Sequence, residues 1–284
     1  MQVVSVVGAS DAGKTTVVEA LADRLADRGS VGTVKHLTHA PDVDTDGKDT
    51  VRHRAAGASE TYGLVDDAEV DAGGGWFGTG RELTLTDALD RLATRHEYAI
   101  VEGYSGSSLP KVVVGDREVA DPIVERASGP EALDYDAVVD AIEDLEPYRT
   151  LESLVAELKD SPRADRAGAI ATFTGRVRAK DASDDPPTEH LEFEKYDGVA
   201  EQRMSALRED LESREGVVDV RLHHRTGVLE SGEDIVFVVV LAGHRREAFR
   251  TVEDGIDRLK DEVPIFKKEV TVDDEFWRHE KPTE

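Results

Sequence analysis

Gln2–Val7 opens the chain as an apolar run of strand length, and Thr16–Asp27 follows with apolar residues at Val17, Val18, Leu21, Ala22 and Leu25. That three-to-four spacing lays one apolar stripe along a helix. Gly29 ends the helix, and Val31–Lys35 begins a second strand. Gly73–Gly80 sets Trp76 and Phe77 among glycines and reads as a mobile loop. Thr86–Arg95 has helical spacing, and Tyr98–Glu102 is a strand. Alternation of strand and helix predicts a mostly parallel sheet with helices on both faces. Asp116–Pro130 is polar and without pattern, and Tyr135–Leu145 reads as a helix that Pro147 closes.

The second half is organised differently. Gly168–Val177 reads as a strand, Val199–Arg214 as a helix, and Val217–Arg225 and Ile235–Ala242 as strands, the last strongly apolar. Arg245–Lys260 carries Ala248, Val252, Ile256 and Leu259 at helical spacing, and Pro264 bars its extension. This half is α+β. A boundary near Pro147 divides the chain into residues 1–147, with 116–147 as a linker-like stretch, and residues 148–284. Two domains also suit a length of 284 residues, since single cores stop growing at about 100–200.

Charge changes the picture. Lys+Arg 35 against Asp+Glu 61 leaves −26, which repels phosphate backbones and argues against nucleic-acid binding. The acids are spread along the chain, and arginine outnumbers lysine among the bases. This composition suits a salt-rich cytoplasm, where screening relieves self-repulsion; an acidic mesophilic protein has the same look. With no cysteine in the chain, disulfides, iron–sulfur clusters, thiolate zinc and a cysteine nucleophile are excluded. No run approaches the ~18 apolar residues of a membrane span, and no signal-type segment precedes the first strand. The expectation is a cytoplasmic protein with no membrane partner.

Gly8-Ala9-Ser10-Asp11-Ala12-Gly13-Lys14-Thr15 fits G-x-x-x-x-G-K-[ST], directly after a strand and directly before a helix. Glycines let backbone N–H groups approach phosphates, and the helix start adds positive potential. Gly8, Ser10, Ala12, Gly13, Lys14, Thr15 and Thr16 are the candidate nucleotide contacts. Lys14 is expected to reach the β- and γ-phosphates, and Thr15 to hold Mg²⁺. Glu102, ending a later strand in Val101-Glu102-Gly103, is either the accompanying Mg²⁺ carboxylate or an ordinary strand-end acid. Lys35-His36 also follows a strand, facing either the nucleotide or the solvent. Asp42-Val43-Asp44-Thr45-Asp46-Gly47 imitates a Ca²⁺ loop, but its twelfth position is His53 where a bidentate glutamate is needed. That site is rejected. No Asn/Thr-Lys-x-Asp segment stands where a guanine-reading loop belongs, so the preferred base is not legible.

Taken in order, the glycine loop, Val34-Lys35-His36, Asp44 through Gly47-Lys48-Asp49, Ala56-Gly57-Ala58 and Val101-Glu102-Gly103 resemble the molybdopterin-guanine dinucleotide biosynthesis protein B family, MobB. The resemblance covers about the first 115 residues and departs after Val114. It implies a P-loop NTPase fold binding GTP or a related nucleotide with Mg²⁺.

Basic residues gather in the second half. Arg176 and Arg178 share one face of a strand end, His244-Arg245-Arg246 stand between strand and helix, and Lys260 with Lys267-Lys268 bracket Pro264. Singly, each is an ordinary solvated end of an element. Converging, they make a site for an anionic substrate, with arginine forks for phosphate and a lysine whose pKa falls on desolvation. His223 and His224 are strand neighbours pointing to opposite faces, which argues against a two-histidine metal site.

Gly168 through Arg178, His224-Arg225-Thr226-Gly227, Gly232 through Val236, Ala242-Gly243-His244-Arg245, Leu259-Lys260 and Pro264 through Glu269 resemble the molybdopterin synthase catalytic subunit, MoaE, over about residues 150–280. The resemblance implies an α+β, hammerhead-type domain and a sulfur transfer that turns cyclic pyranopterin monophosphate (precursor Z) into molybdopterin. Sulfur arrives as the C-terminal thiocarboxylate of a separate small subunit, MoaD, which suits a chain without cysteine. Carried over by position, the pocket comprises Arg176, Val177, Arg178, His244, Arg245, Lys260, Lys267, Lys268 and Glu269. Arg178, His244 and Arg245 are expected at the pterin phosphate, with Lys260 first and Lys267 second as proton-transfer groups. The resemblance further implies a homodimer through this domain, a site borrowing from the neighbouring copy, and no cofactor. Two other readings stand beside it: a nucleotide-dependent scaffold without synthase catalysis, and a P-loop phosphotransferase lacking a recognisable acceptor site.

Overall fold

The computed structural model describes residues 1–38, 49–65, 75–180, 187–196, 198–271 and 275–278, with backbone alone for the last four. Asp42–Gly47, Lys48, Gly73, Gly74 and His279 lie outside them. The chain forms two compact units, Met1–Tyr148 and Arg149–Glu284.

The first unit runs β1 (Gln2–Gly8), α1 (Lys14–Ala26), β2 (Val31–Lys35), α2 (Asp49–Ala55), β3 (Glu60–Val65), β4 (Gly75–Gly80), α3 (Leu85–Ala93), β5 (Tyr98–Glu102), β6 (Lys111–Val114), β7 (Ile123–Ala127) and α4 (Tyr135–Glu143). Its main sheet has the order β2-β5-β1-β6-β7, every pair parallel. Side chains alternate across β1. Val4 and Val6 pack with Val17, Leu21 and Leu25 of α1 and with Val138, Val139 and Ile142 of α4. Val3 packs on the other face with Leu89, Ala99 and Val101. A sheet covered on both faces needs apolar residues on both, which is why β1 lacks polar alternation.

Two expectations need correction here. From Gly75 onward the glycine-rich stretch is β4, paired antiparallel with β3. One glycine on each strand faces a ring across the ribbon: a Cβ on Gly63 of β3 would stand 2.2 Å from Phe77 Cε1, and one on Gly78 of β4 3.0 Å from the Tyr62 ring, so the small residue makes room for the large one. Asp116–Pro130 likewise contains β7, whose polar look follows from its position as an edge strand beside β6 alone.

The second unit runs α5 (Leu151–Lys159), β8 (Ala169–Arg176), β9 (Thr188–Lys195), α6 (Val199–Glu212), β10 (Val217–His224), β11 (Gly227–Glu230), β12 (Asp234–Ala242), α7 (Arg245–Glu262), β13 (Ile265–Thr271) and β14 (Glu275–Arg278). Sheet β10-β12-β8 is antiparallel and carries helices on both faces. Val236, Val238 and Val240 meet α6 and α7, while Phe237, Val239 and Leu241 meet Leu154 and Leu158 of α5. The apolar run of β12 is thus a central strand buried twice over. A second sheet, β11-β9-β13-β14, closes over Leu191, Phe193 and Leu229. Strand, sheet and helix are mixed without a βαβ repeat, the α+β arrangement that its element order predicts. Among the described residues no helix is long and apolar enough to cross a membrane.

Candidate functional site

The phosphate loop links β1 to α1. Gly13 caps the helix at φ 89°, and a Cβ there would stand 2.4 Å from Pro130 Cγ, so conformation and close approach both demand glycine. No side chain caps α1, which leaves its first N–H groups facing the loop. Gly8 ends β1, Ser10 and Thr16 are exposed, and Ala12 leans on the core. Lys14 curls back and donates to the Ala9 carbonyl. Thr15 Oγ1 donates toward both Glu102 carboxylate oxygens, at 3.2 Å each. The structure therefore brings together Thr15 and Glu102, two hard oxygen donors. They fit Mg²⁺, which takes one or two protein groups and completes its octahedron with phosphates and water. Among the described residues no cluster of three or more His, Asp or Glu could hold a metal on its own.

In the second unit a cavity of about 760 Å³ opens between the Asp234 end of sheet β10-β12-β8, the end of α7 and strand β13. That volume lies within the range of small-ligand sites. Arg176 and Arg178 of the β8 end, Lys260 near the end of α7, and Lys267 and Glu269 of β13 line it. Asp261 and Glu262 also line it, making four cationic and three anionic side chains among the described residues. In a chain carrying −26 overall, a positive balance of one is a concentrated exception. Arg176 is tied to Asp234 at 3.1 Å and to the Gly232 carbonyl, which fixes its fork at the rim. Glu262 pairs with Arg258 at 2.6 Å on α7. Buried Glu269 accepts from Thr188 Oγ1 at 2.9 Å, a bond that holds its carboxylate against β9.

The remaining predicted residues lie elsewhere. Val177 is buried with Leu191, Phe193 and Leu229, its backbone N–H donating to Glu233. Lys268 alternates to the other face of β13 and pairs with Glu192 at 3.6 Å. His244 caps α7 and Arg245 begins it, both exposed, whereas Lys260 stands near its far end. Fifteen residues at ~1.5 Å rise separate Arg245 from Lys260 by about 22 Å of helix. A chain cannot bring its own His244 and Arg245 to its own Lys260.

Sequence reasoning overlooked Phe173, Thr188, Phe193 and His224, which also line the cavity. The His224 ring meets Phe193 edge-on at 4.9 Å, with Nδ1 2.7 Å from the Arg225 carbonyl. A carbonyl only accepts, so Nδ1 carries a proton. The alternation of Leu191 and Phe193 along β9 was the available signal; Thr188 lies beyond an irregularity in the pairing with β13, which strict alternation does not foretell. His223 points the other way and stacks on Phe237 at 6.2 Å. Burial, helped by the charges of Arg149 and Arg225, lowers its pKa to about 3.

The comparisons with known proteins divide along the same line. The family model for molybdopterin guanine dinucleotide synthesis protein B matches residues 3–133, and that for MoaE protein matches residues 146–262. A probable molybdopterin synthase from Haloferax volcanii is 50% identical over 281 residues, 99% of this chain and 100% of the relative. The molybdopterin synthase catalytic subunit of Pyrococcus abyssi is 42% identical over 110 residues, 39% of this chain and 73% of the relative. A solved molybdopterin synthase structure from Staphylococcus aureus is 31% identical with a TM-score of 0.41, covering 47% of this chain and 93% of that one. By its full-length likeness and its paired family matches, the chain belongs to the molybdopterin synthase family, a MoaE unit carried behind a MobB-type phosphate-loop unit.

Proposed function

We propose that the cavity at the end of α7 is where this molybdopterin synthase builds the dithiolene of molybdopterin on precursor Z. The carrying observation is the cavity itself: two arginine forks and two lysines line it together with Phe173, Leu191 and Phe193. The apolar side chains suit a flat pterin, and the arginines suit its phosphate. Two thiocarboxylated MoaD-type carriers deliver one sulfur each. Each sulfur bonds to a side-chain carbon of the pterin, the cyclic-phosphate C–O bond breaking at one carbon and the carbonyl oxygen leaving as water at the other. Hydrolysis of each resulting thioester leaves the sulfur on the pterin and frees the carrier as a carboxylate. Lys260 moves the proton at the reacting carbon and Lys267 seconds it, while Glu269, held by Thr188, orients Lys267 from two residues along β13. His244 and Arg245 serve the cavity of a second copy, which makes the working form a homodimer through this unit. Their distance along α7 from their own Lys260 supports that assignment.

The first unit binds GTP or a related nucleotide, with Lys14 on the phosphates and Mg²⁺ held by Thr15 and Glu102. The ion would neutralise phosphate charge there. Thr15 and Glu102 orient the terminal phosphates, and the N–H groups opening α1 bind them.

Dithiolene formation from precursor Z, with the full chain and thiocarboxylated carrier in high potassium chloride, tests the reading. Wild type and Lys14→Ala are expected to form product, and Lys260→Ala to lose about 10²–10⁴-fold in rate. Lys260→Ala turning over at the wild-type rate would remove that lysine from the chemistry. No product from wild type, with a carrier active on another catalytic subunit, would reject the synthase assignment of the cavity.

A further inference from the structure

Lys35 closes β2, and Glu102 closes β5 directly beside it in the parallel register. Registered residues of a parallel pair project from the same face of the sheet. The Lys35 ammonium accordingly lies 3.0 Å from Glu102 Oε1 and 3.2 Å from Oε2, and 3.5 Å from Thr15 Oγ1. It touches both groups that a phosphate-loop site turns toward a divalent ion. The Glu102 side chain is 12% exposed and that of Lys35 53%. So sheltered a carboxylate needs a counter-charge, and here the counter-charge is part of the chain, on a flexible four-carbon stem.

We propose that Lys35 is a built-in cation of the phosphate site, standing at Glu102 in place of a divalent ion and allowing a nucleotide to bind without one. A triphosphate entering the loop without Mg²⁺ brings several negative charges close to Glu102. The Lys35 ammonium lies beside both that carboxylate and Thr15 of the loop, so it screens the repulsion and offers the terminal phosphate a second ammonium beside Lys14. Added Mg²⁺ competes with Lys35 for Glu102 and gains correspondingly little. The inference rests on nucleotide binding by the loop and specifies what that binding requires.

The test is the affinity of the full chain for fluorescent methylanthraniloyl-GTP, titrated with Mg²⁺ and again with a chelator. Wild type is expected to lose no more than ~3-fold in affinity on chelation. Lys35→Met, with similar length and no charge, is expected to lose ~10-fold or more, about the effect of 1.4 kcal/mol. With Mg²⁺ present it should bind nearly as well as wild type, which also shows that it has folded. Lys35→Arg keeps the charge and should keep the tolerance. Lys14→Ala should lose binding in both conditions, placing the probe in the loop. Equal losses on chelation for wild type and Lys35→Met would overturn the role of Lys35 alone. Absence of binding by wild type with Mg²⁺ would overturn the nucleotide reading, and the role of Lys35 with it.

Discussion

His223 and His224 differ in surroundings because a strand sends neighbours to opposite faces. Burial holds the folded His223 imidazole at a pKa of about 3, against the ordinary 6.5. Below pH ~6.5 the unfolded chain takes up a proton there that the folded chain refuses, so stability is full above that pH and falls toward pH 3. Between pH 6 and 4, wild type should lose up to ~1.4 kcal/mol per pH unit more than His223→Phe. Urea denaturation across that range checks it, and parallel curves for the two proteins would rule it out. Lys111 is a second buried base. It is fully buried, donates to the Leu109 carbonyl at 2.9 Å, and has its pKa lowered by burial, partly countered by Asp121. Keeping that charge out of water opposes folding, so Lys111→Met should unfold about 1 kcal/mol later, with a midpoint at higher urea. A lower midpoint would mean that the bond to Leu109 outweighs the desolvation.

Elements were legible where one rule decided them. The loop from Gly8 to Thr15, helix α1, strand β5 and strand β12 follow from a motif, a helical stripe and two apolar runs. Strands β9 and β13 escaped because they are half-buried and interleave charges with apolar residues, as in Glu192-Phe193-Glu194. Helix α5 escaped because its signal is a capping box: the Thr150 and Ser153 side chains exchange backbone bonds at its start. The same distinction applies to the site. Arg176, Arg178, Lys260, Lys267 and Glu269 line one cavity, whereas Val177 and Lys268, their immediate neighbours in sequence, alternate away. A motif carries over residues by position; only the pleat separates those facing the ligand from those facing the core. At the level of the loop, Gly13→Ala meets both a left-handed backbone and Pro130. It should cost about 1–3 kcal/mol of stability and abolish methylanthraniloyl-GTP binding. Unchanged binding would show that Pro130 yields.

Over the whole molecule, charge sets the response to salt. Ion pairs such as Arg24–Asp136 and Arg28–Asp140 join α1 and the turn after it to α4, but their acids are 90% and 71% exposed and contribute little. Repulsion among a −26 excess is the larger quantity, and salt screens it. The thermal midpoint should therefore rise with potassium chloride; a flat or falling midpoint would show that the pairs dominate. The length of α7 has a genetic consequence. In the proposed dimer its opening residues and its closing lysine work in different cavities, so lesions at its two ends would damage different halves of a shared site. Copies carrying Lys260→Ala and Arg245→Ala, expressed in one cell, would pair at random, with half of the pairs mixed. Each mixed pair keeps one intact cavity, restoring about a quarter of the wild-type flux in a symmetric dimer. Two alleles, each null alone, would then complement one another inside a single gene.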